Sequence, residues 1–274
     1  MRCLVTALKA ESEPLIQHFE LERYSSANFP FFLNKSLEIG LINTGLGKKN
    51  IQSRIEYFSK LFHEEEVQYI NIGIAGGSEK RTTIGDIYLI NSIRDEISGT
   101  FFYPDILVKH DFKENSIITV DSPITDGSQT YMSLVDMESS EVFRICSKKT
   151  SIHNLAFLKI VSDHMNAFTI SLKHNNVYNL VSRRLYDIDD FLQQFNKIKN
   201  INKAILNKIE LDWICYVKKT LLITKSQENQ LAIKLKKYRL KYPEEPIPAF
   251  EIVKQKDKEM RNRIYLKICD RLAA

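Results

Sequence analysis

Short, almost unbroken apolar runs alternate along the first 200 residues with stretches of helical spacing, and this alternation is what most limits the fold. Residues 2–8, 67–72 and 155–161 have the length and apolar content of buried strands. Between them, apolar residues recur every three or four positions: Leu15, Ile16 and Phe19; Ile51, Ile55, Phe58 and Phe62; Val142, Phe143 and Cys146. Strands separated by helices imply an α/β fold with a largely parallel or mixed sheet. With 43% hydrophobic and 27% charged residues, a chain of 274 residues buries one sizeable core and has room for an appendage.

In such sheets ligands gather beyond the carboxyl ends of the strands. The residues that follow each run therefore carry the functional argument. Glu11 follows the first run at a strand-to-helix junction, and Pro14 is tolerated in that helix's first turn. The glycine-rich stretch 73–77 follows the run 67–72, where glycines serve either close backbone approach to a ligand or ordinary tight turns. Ser122, Pro123 and Ile124 form the exit of a strand over 116–121. Residues 135–140 read as a short acidic turn opening a helix. They place Glu138 in its first turn, where free N–H groups and the helix dipole favour negative charge. For a lone Glu, that dipole is explanation enough. Asp163, however, follows the run 155–161 in the same way, so one pocket is expected to collect Glu11, the glycines, Ile124 and Asp163.

Residues 30–34 and 36–43 read as a strand pair. Thr44-Gly45-Leu46-Gly47-Lys48-Lys49-Asn50 then imitates the first half of a dinucleotide fingerprint but lacks its last glycine. It is read as backbone exposed for a phosphate or sugar, not as a NAD site. A loop at 99–105 carries Phe101, Phe102 and Tyr103, which can stack on a flat ligand or pack under neighbouring segments.

Other features narrow the class. No run of eighteen apolar residues exists, so no membrane span is expected. The chain's start leads straight into a strand pattern without a cleavable signal sequence. Cys3, Cys146, Cys215 and Cys269 lie far apart and suggest reduced thiols in a cytoplasmic protein. The six histidines form no metal-like cluster, and neither metal nor cofactor is expected. The net charge of +5 is uneven: from Ile201 on, 17 Lys and Arg face 9 Asp and Glu, leaving the first 200 residues at −3. Apolar stripes in this last part (Ile205, Ile209, Trp213, Val217 and Leu221; Leu231, Leu235 and Tyr238; Met260, Ile264, Ile268 and Leu272) predict helices. Pro243, Pro246 and Pro248 separate the last two. Residues 201–274 are thus a basic helical extension of a domain over 1–200. Its surface of Lys234, Lys236, Lys237, Arg239 and Lys241 is either solvated or a contact for nucleic acid.

Six motifs then stand in a meaningful order: Ala7-Leu8-Lys9-Ala10-Glu11-Ser12-Glu13, Thr44-Gly45-Leu46-Gly47-Lys48, Asn71-Ile72-Gly73-Ile74-Ala75-Gly76-Gly77, Ile84-Gly85-Asp86-Ile87, Asp136-Met137-Glu138 and Ser162-Asp163. Together they resemble the purine nucleoside phosphorylase/nucleosidase superfamily over roughly residues 1–200, most closely its methylthioadenosine/S-adenosylhomocysteine nucleosidases. The resemblance implies a three-layer αβα fold around a central mixed, barrel-like sheet, and a homodimer. It assigns Asp163, with Ser162 beside it, to the acid that protonates the purine at N7, Glu11 to the base that orients water, and Glu138 and Met137 to the ribose. Ile124 falls where family backbone groups read the purine edge. Two departures bear on the nucleophile. Ile74 replaces the usual hydroxyl residue, as in futalosine-type hydrolases, and Asn71 stands where many phosphorylases place an arginine. The first removes a hydrogen bond to water or phosphate alike and leaves the exact substrate open; the missing arginine favours water over phosphate. Phe101 and Tyr103 are expected around the base or a 5′-substituent. The readings in play are an N-ribosyl hydrolase acting on a purine nucleoside, a phosphate-dependent phosphorylase, and a nucleotide- or nucleic-acid-binding protein on the same scaffold.

Overall fold

The structure is a computed structural model that describes residues 1–62, 66–126, 130–166, 174–243, 245–255 and 257–273. The chain separates into two compact units, Met1–Asn196 and Lys197–Ala274.

The first unit is built on a ten-stranded mixed sheet. Its elements in order are β1 (Arg2–Thr6), α1 (Lys9–His18), β2 (Glu22–Arg23), β3 (Phe31–Asn34), β4 (Ile39–Asn43), α2 (Ile51–Leu61), β5 (Gln68–Gly76), β6 (Ile87–Asp95), β7 (Phe101–Phe102), β8 (Lys113–Thr119), β9 (Leu134–Asp136), α3 (Ser139–Cys146), a 3-10 turn (Ile152–Asn154), β10 (Leu155–Asp163), α4 (His174–Ser182) and α5 (Leu185–Ile205). The strand order is β10-β6-β8-β9-β5-β1-β4-β3-β2, and β10 also pairs with β5. That extra pairing closes β5, β10, β6, β8 and β9 into a ring, while β1 to β4 extend from it. Parallel ladders join β1 to β4 and β5, β5 to β10, and β8 to β6 and β9. Antiparallel ones join β10 to β6 and β5 to β9.

The apolar runs are buried because both faces of these strands are covered: every residue of β4 is buried, as are most of β1, β5 and β10. Helix α1 packs on α4, and α2 on α3. The main core joins Ile51, Ile55 and Phe58 of α2 with Val142, Phe143 and Cys146 of α3 and with Tyr69 and Phe157 from the sheet.

The second unit takes the end of α5 and the helices α6 (Lys208–Leu221), α7 (Lys225–Lys241) and α8 (Lys258–Ala273). Asn207 and Thr224 cap α6 and α7 through capping boxes closed by Glu210 and Gln227. Its core holds Leu206, Ile214, Val217, Leu221, Leu231, Leu235, Tyr238, Ile268 and Leu272. The four-residue stripe drawn through Ile205 and Ile209 is corrected here. Ile209 is 77% exposed, and the buried line runs through Leu206, Glu210, Ile214, Val217 and Leu221. Met260 is also exposed. Nor does Arg239 belong to a solvated basic face. It pairs with the buried Glu210 and donates to the carbonyls of Tyr242 (3.0 Å), Pro243 (2.7 Å) and Glu245 (2.8 Å), pinning the segment that leaves α7. No described helix is long and apolar enough to cross a membrane, and among the described residues no group of His, Cys, Asp or Glu is placed to hold a metal.

Candidate active site

Beyond the ends of β1, β5, β9 and β10 lies a hollow in the first unit. Glu11, Ile74, Ile124, Met137, Glu138, Ser162 and Asp163 all line it, with Leu8, Leu46, Val120 and Pro123 among their neighbours. Phe101 and Tyr103 do not. They are 51% and 62% exposed, stacked on each other at 6.4 Å, and Arg94 lies over Phe101. The cause is pairing: β7 forms an outer ladder with the end of β6, Phe101 opposite Arg94 and Phe102 opposite Ile93, which carries the aromatic loop away from the hollow. A wider cleft of about 490 Å³ among Asp86, His110, Lys113 and Arg184 pairs Lys113 with Asp86 and Arg184 with Asp187, each at 3.2 Å.

Glu11 sits in the first turn of α1, where three N–H groups converge on its carboxylate. Ala7 and Leu8 donate to Oε2, both at 2.8 Å, and Ile74 donates to Oε1 at 2.9 Å. Burial pushes its pKa up, while those donors and the charge of Lys159 pull the other way. The glycines after residue 72 do not form a loop: β5 runs to Gly76. They are small because side chains press on them. A Cβ on Gly73 would lie 2.9 Å from Glu11 Oε1, one on Gly76 would lie 2.6 Å from Met165, and one on Gly77 would lie 2.3 Å from Thr82 Oγ1.

Glu138 also departs from expectation. It precedes α3 rather than standing in its first turn, and its side chain caps nothing. Its Oε1 instead accepts the Gly47 N–H at 2.7 Å. The start of α3 is answered by Asp136, whose Oδ2 accepts from Ser139 N at 3.0 Å and Ser139 Oγ at 2.5 Å. Burial and then the neighbouring Asp136 charge push the Glu138 carboxyl up to about 7, against Lys159 and the Gly47 N–H. The segment around Gly47 is thus a holder of a carboxylate. Gly45 and Gly47 supply its positive φ angles of 75° and 74°, and Lys48 ties it down to Asp95 at 2.8 Å and Asp121 at 2.7 Å. Although burial opposes it, Asp95 is held well below the carboxylate range by Lys48, Ser98 and Ser140.

Asp163 closes β10. Its Oδ1 accepts from Met165 N at 2.8 Å and its Oδ2 from Ser162 Oγ at 2.7 Å. The same Ser162 hydroxyl lies 3.3 Å from the Ala75 carbonyl, so its one hydrogen has two acceptors. Val120, Val135 and Met165, with Ile124 and Met137 against them, form an apolar wall of the same hollow.

Sequence reasoning passed over Lys159. It is 1% exposed in the middle of β10 and binds Asp136 Oδ2 at 2.8 Å. Its signal was present, because a lone lysine inside an apolar run demands a buried partner. Asn71 is buried too, donating to the Val5 carbonyl at 3.0 Å.

This closed mixed sheet, with carboxylates gathered at its strand ends, has the nucleoside phosphorylase/nucleosidase fold by its likeness to solved structures. Among solved structures of similar fold is the 5′-methylthioadenosine/S-adenosylhomocysteine nucleosidase of S. pneumoniae with a transition-state inhibitor, at 15% identity and a TM-score of 0.57, covering 71% of this chain and 99% of that one. The 5′-methylthioadenosine nucleosidase of Arabidopsis thaliana is 18% identical with a TM-score of 0.58, over 71% and 95%. The Chlamydia trachomatis enzyme bound to its nucleoside is 17% identical with a TM-score of 0.54, over 69% and 97%. The likeness is one of fold. No family model and no curated protein matches the sequence.

Proposed function

We propose that this chain is an N-ribosyl hydrolase acting on a purine nucleoside, of the methylthioadenosine/S-adenosylhomocysteine nucleosidase kind. The observation that carries the reading is the convergence of Glu11, Glu138 and Asp163 on one hollow with an apolar wall. Breaking a ribosidic C–N bond leaves positive charge on the sugar and negative charge on the departing base. Asp163 meets the base: when Ser162 gives its hydrogen to the Ala75 carbonyl, its oxygen is free to accept from a protonated Asp163, which holds the proton for purine N7. Glu138, with Oε1 fixed by Gly47, has Oε2 for the ribose hydroxyls, whose hydrogen bonds strengthen as the ring becomes cationic. Glu11, locked by three N–H groups, orients the attacking water. Water is favoured over phosphate because no lysine or arginine is among the described residues lining the hollow, and Lys48 is committed to two carboxylates. A cytoplasmic homodimer is the accompanying expectation, checked by light scattering.

The test is incubation with methylthioadenosine, adenosine, inosine and futalosine, with and without phosphate, following free base by chromatography. Base release independent of phosphate is expected. Release that requires phosphate would make the protein a phosphorylase, and no release from any nucleoside would end the proposal. Asp163→Asn should slow turnover at least about 100-fold, the lower end of general-acid contributions; a near-normal rate would remove its assignment.

A further inference from the structure

Lys159 is a charged group almost wholly withdrawn from solvent in the middle of β10. It does not line the hollow. Register sets it beside Gly73 of β5, the residue before the Ile74 N–H that holds Glu11. Its ammonium meets the same Asp136 oxygen that receives both donors of Ser139. The other Asp136 oxygen takes the Thr119 hydroxyl at 2.8 Å. Asp136 is therefore fixed from three sides, two residues before Glu138. Asp136 from β9, Lys159 from β10 and Glu11 from α1 are the charged groups whose fields bear most on Glu138; Asp163 lines the same hollow. Lysine is the only cation in this set.

We propose that Lys159 is a positioning residue of the site: its ammonium group holds Asp136, and with it the turn that presents Met137 and Glu138, and supplies positive charge to the end of the sheet where Glu11 and Glu138 line the hollow. The inference rests on the nucleosidase reading for what those glutamates do, and on the contacts of Asp136 and the register of β10 with β5 for how they are held. Lys159 and Asp136 act on Glu138 with opposite sign. Removing the ammonium makes the Glu138 carboxylate harder to form; removing the Asp136 charge makes it easier, and an asparagine in its place keeps an oxygen for its donors.

The experiment compares Lys159→Met, Lys159→Arg and Asp136→Asn with the parent protein. One readout is kcat/KM for base release from pH 5 to 9. The other is the ¹³C NMR titration of the Glu138 carboxyl, assigned by its loss in Glu138→Gln. Lys159→Met should move both the acidic limb and the titration up by about one pH unit, the lower end for a lost opposite charge. Its rate should then fall about tenfold at pH 6 and far less at pH 8.5. Lys159→Arg should restore the parent curves, and Asp136→Asn should move them down. A uniform loss at every pH with an unmoved titration would mean a merely structural lysine and would overturn the proposal, as would shifts of the same sign in both variants. Should Lys159→Met not fold, the downward shift in Asp136→Asn and the parent-like curve of Lys159→Arg decide. If the parent protein cleaves no nucleoside, the functional reading falls, and the NMR titration alone still judges Lys159.

Discussion

Glu138 is expected to weaken the fold it serves, and Glu138→Gln measures by how much. Its carboxyl is displaced from an ordinary 4.5 to about 7 in the folded chain. A carboxyl whose folded pKa is raised binds its proton more tightly in the folded state. Its contribution is fully present below about pH 4.5 and is lost as pH rises through about 7. At about 1.4 kcal/mol per pH unit, the ionised Glu138 costs roughly 3 kcal/mol at pH 8. Glutamine is nearly isosteric, keeps an oxygen for the Gly47 N–H, and never ionises. The variant should therefore match the parent at pH 4.5, gain on it through pH 5–7, and exceed it by about 2–3 kcal/mol at pH 8. Urea titrations at fixed pH give the difference from midpoints at a common slope. They should be followed by far-UV circular dichroism, because the single tryptophan, Trp213, reports on the helical unit. The same variant should lose activity at pH 8, stability and rate moving in opposite directions as expected at a functional site. Equal or lower stability at pH 8, or a gain that does not vary with pH, would refute the argument.

Gly73→Ala places a Cβ 2.9 Å from Glu11 Oε1 and should cost about 1–3 kcal/mol of overpacking. By displacing that carboxylate a few tenths of an ångström it should cut base release about 10- to 100-fold. Gly99→Ala, strained at a φ of 67° but with open space around it, is the control: about 1 kcal/mol of stability and an unchanged rate. Arg239→Ala strands the buried Glu210 and should destabilise the helical unit by about 3–5 kcal/mol, read from Trp213 fluorescence. A loss under about 1 kcal/mol would mean that the pair and its three carbonyl contacts contribute little.

What was legible in the sequence is what chain-local chemistry encodes. Carboxylates that close apolar runs end up at strand ends, so Glu11 and Asp163 could be placed on one side of the sheet before any coordinates. Helix spacing located the buried face of α3 through Val142, Phe143 and Cys146. Most of the misreadings share a different origin, because they depend on which segment a residue packs or pairs against. The glycines at 73–77 look like a turn, yet they are small because Glu11, Met165 and Thr82 press on them. Phe101 and Tyr103 look like a ligand platform, yet the ladder of β7 with β6 turns them outward. Arg239 is indistinguishable from Lys237 in composition, and only Glu210 separates a buried anchor from a surface charge. Even the stripe through Ile209 failed for a geometric reason: a strict four-residue step drifts off a face that repeats every 3.6 residues. The same limit explains Lys159. A lysine within an apolar strand announces that an anion waits inside, but not which one. Once Asp136 is known to be that anion, the site acquires its electrostatic logic. Glu11, Asp136, Glu138 and Asp163 line one hollow, Lys159 pairs with Asp136, and burial followed by the Asp136 charge pushes the Glu138 carboxyl up to about 7.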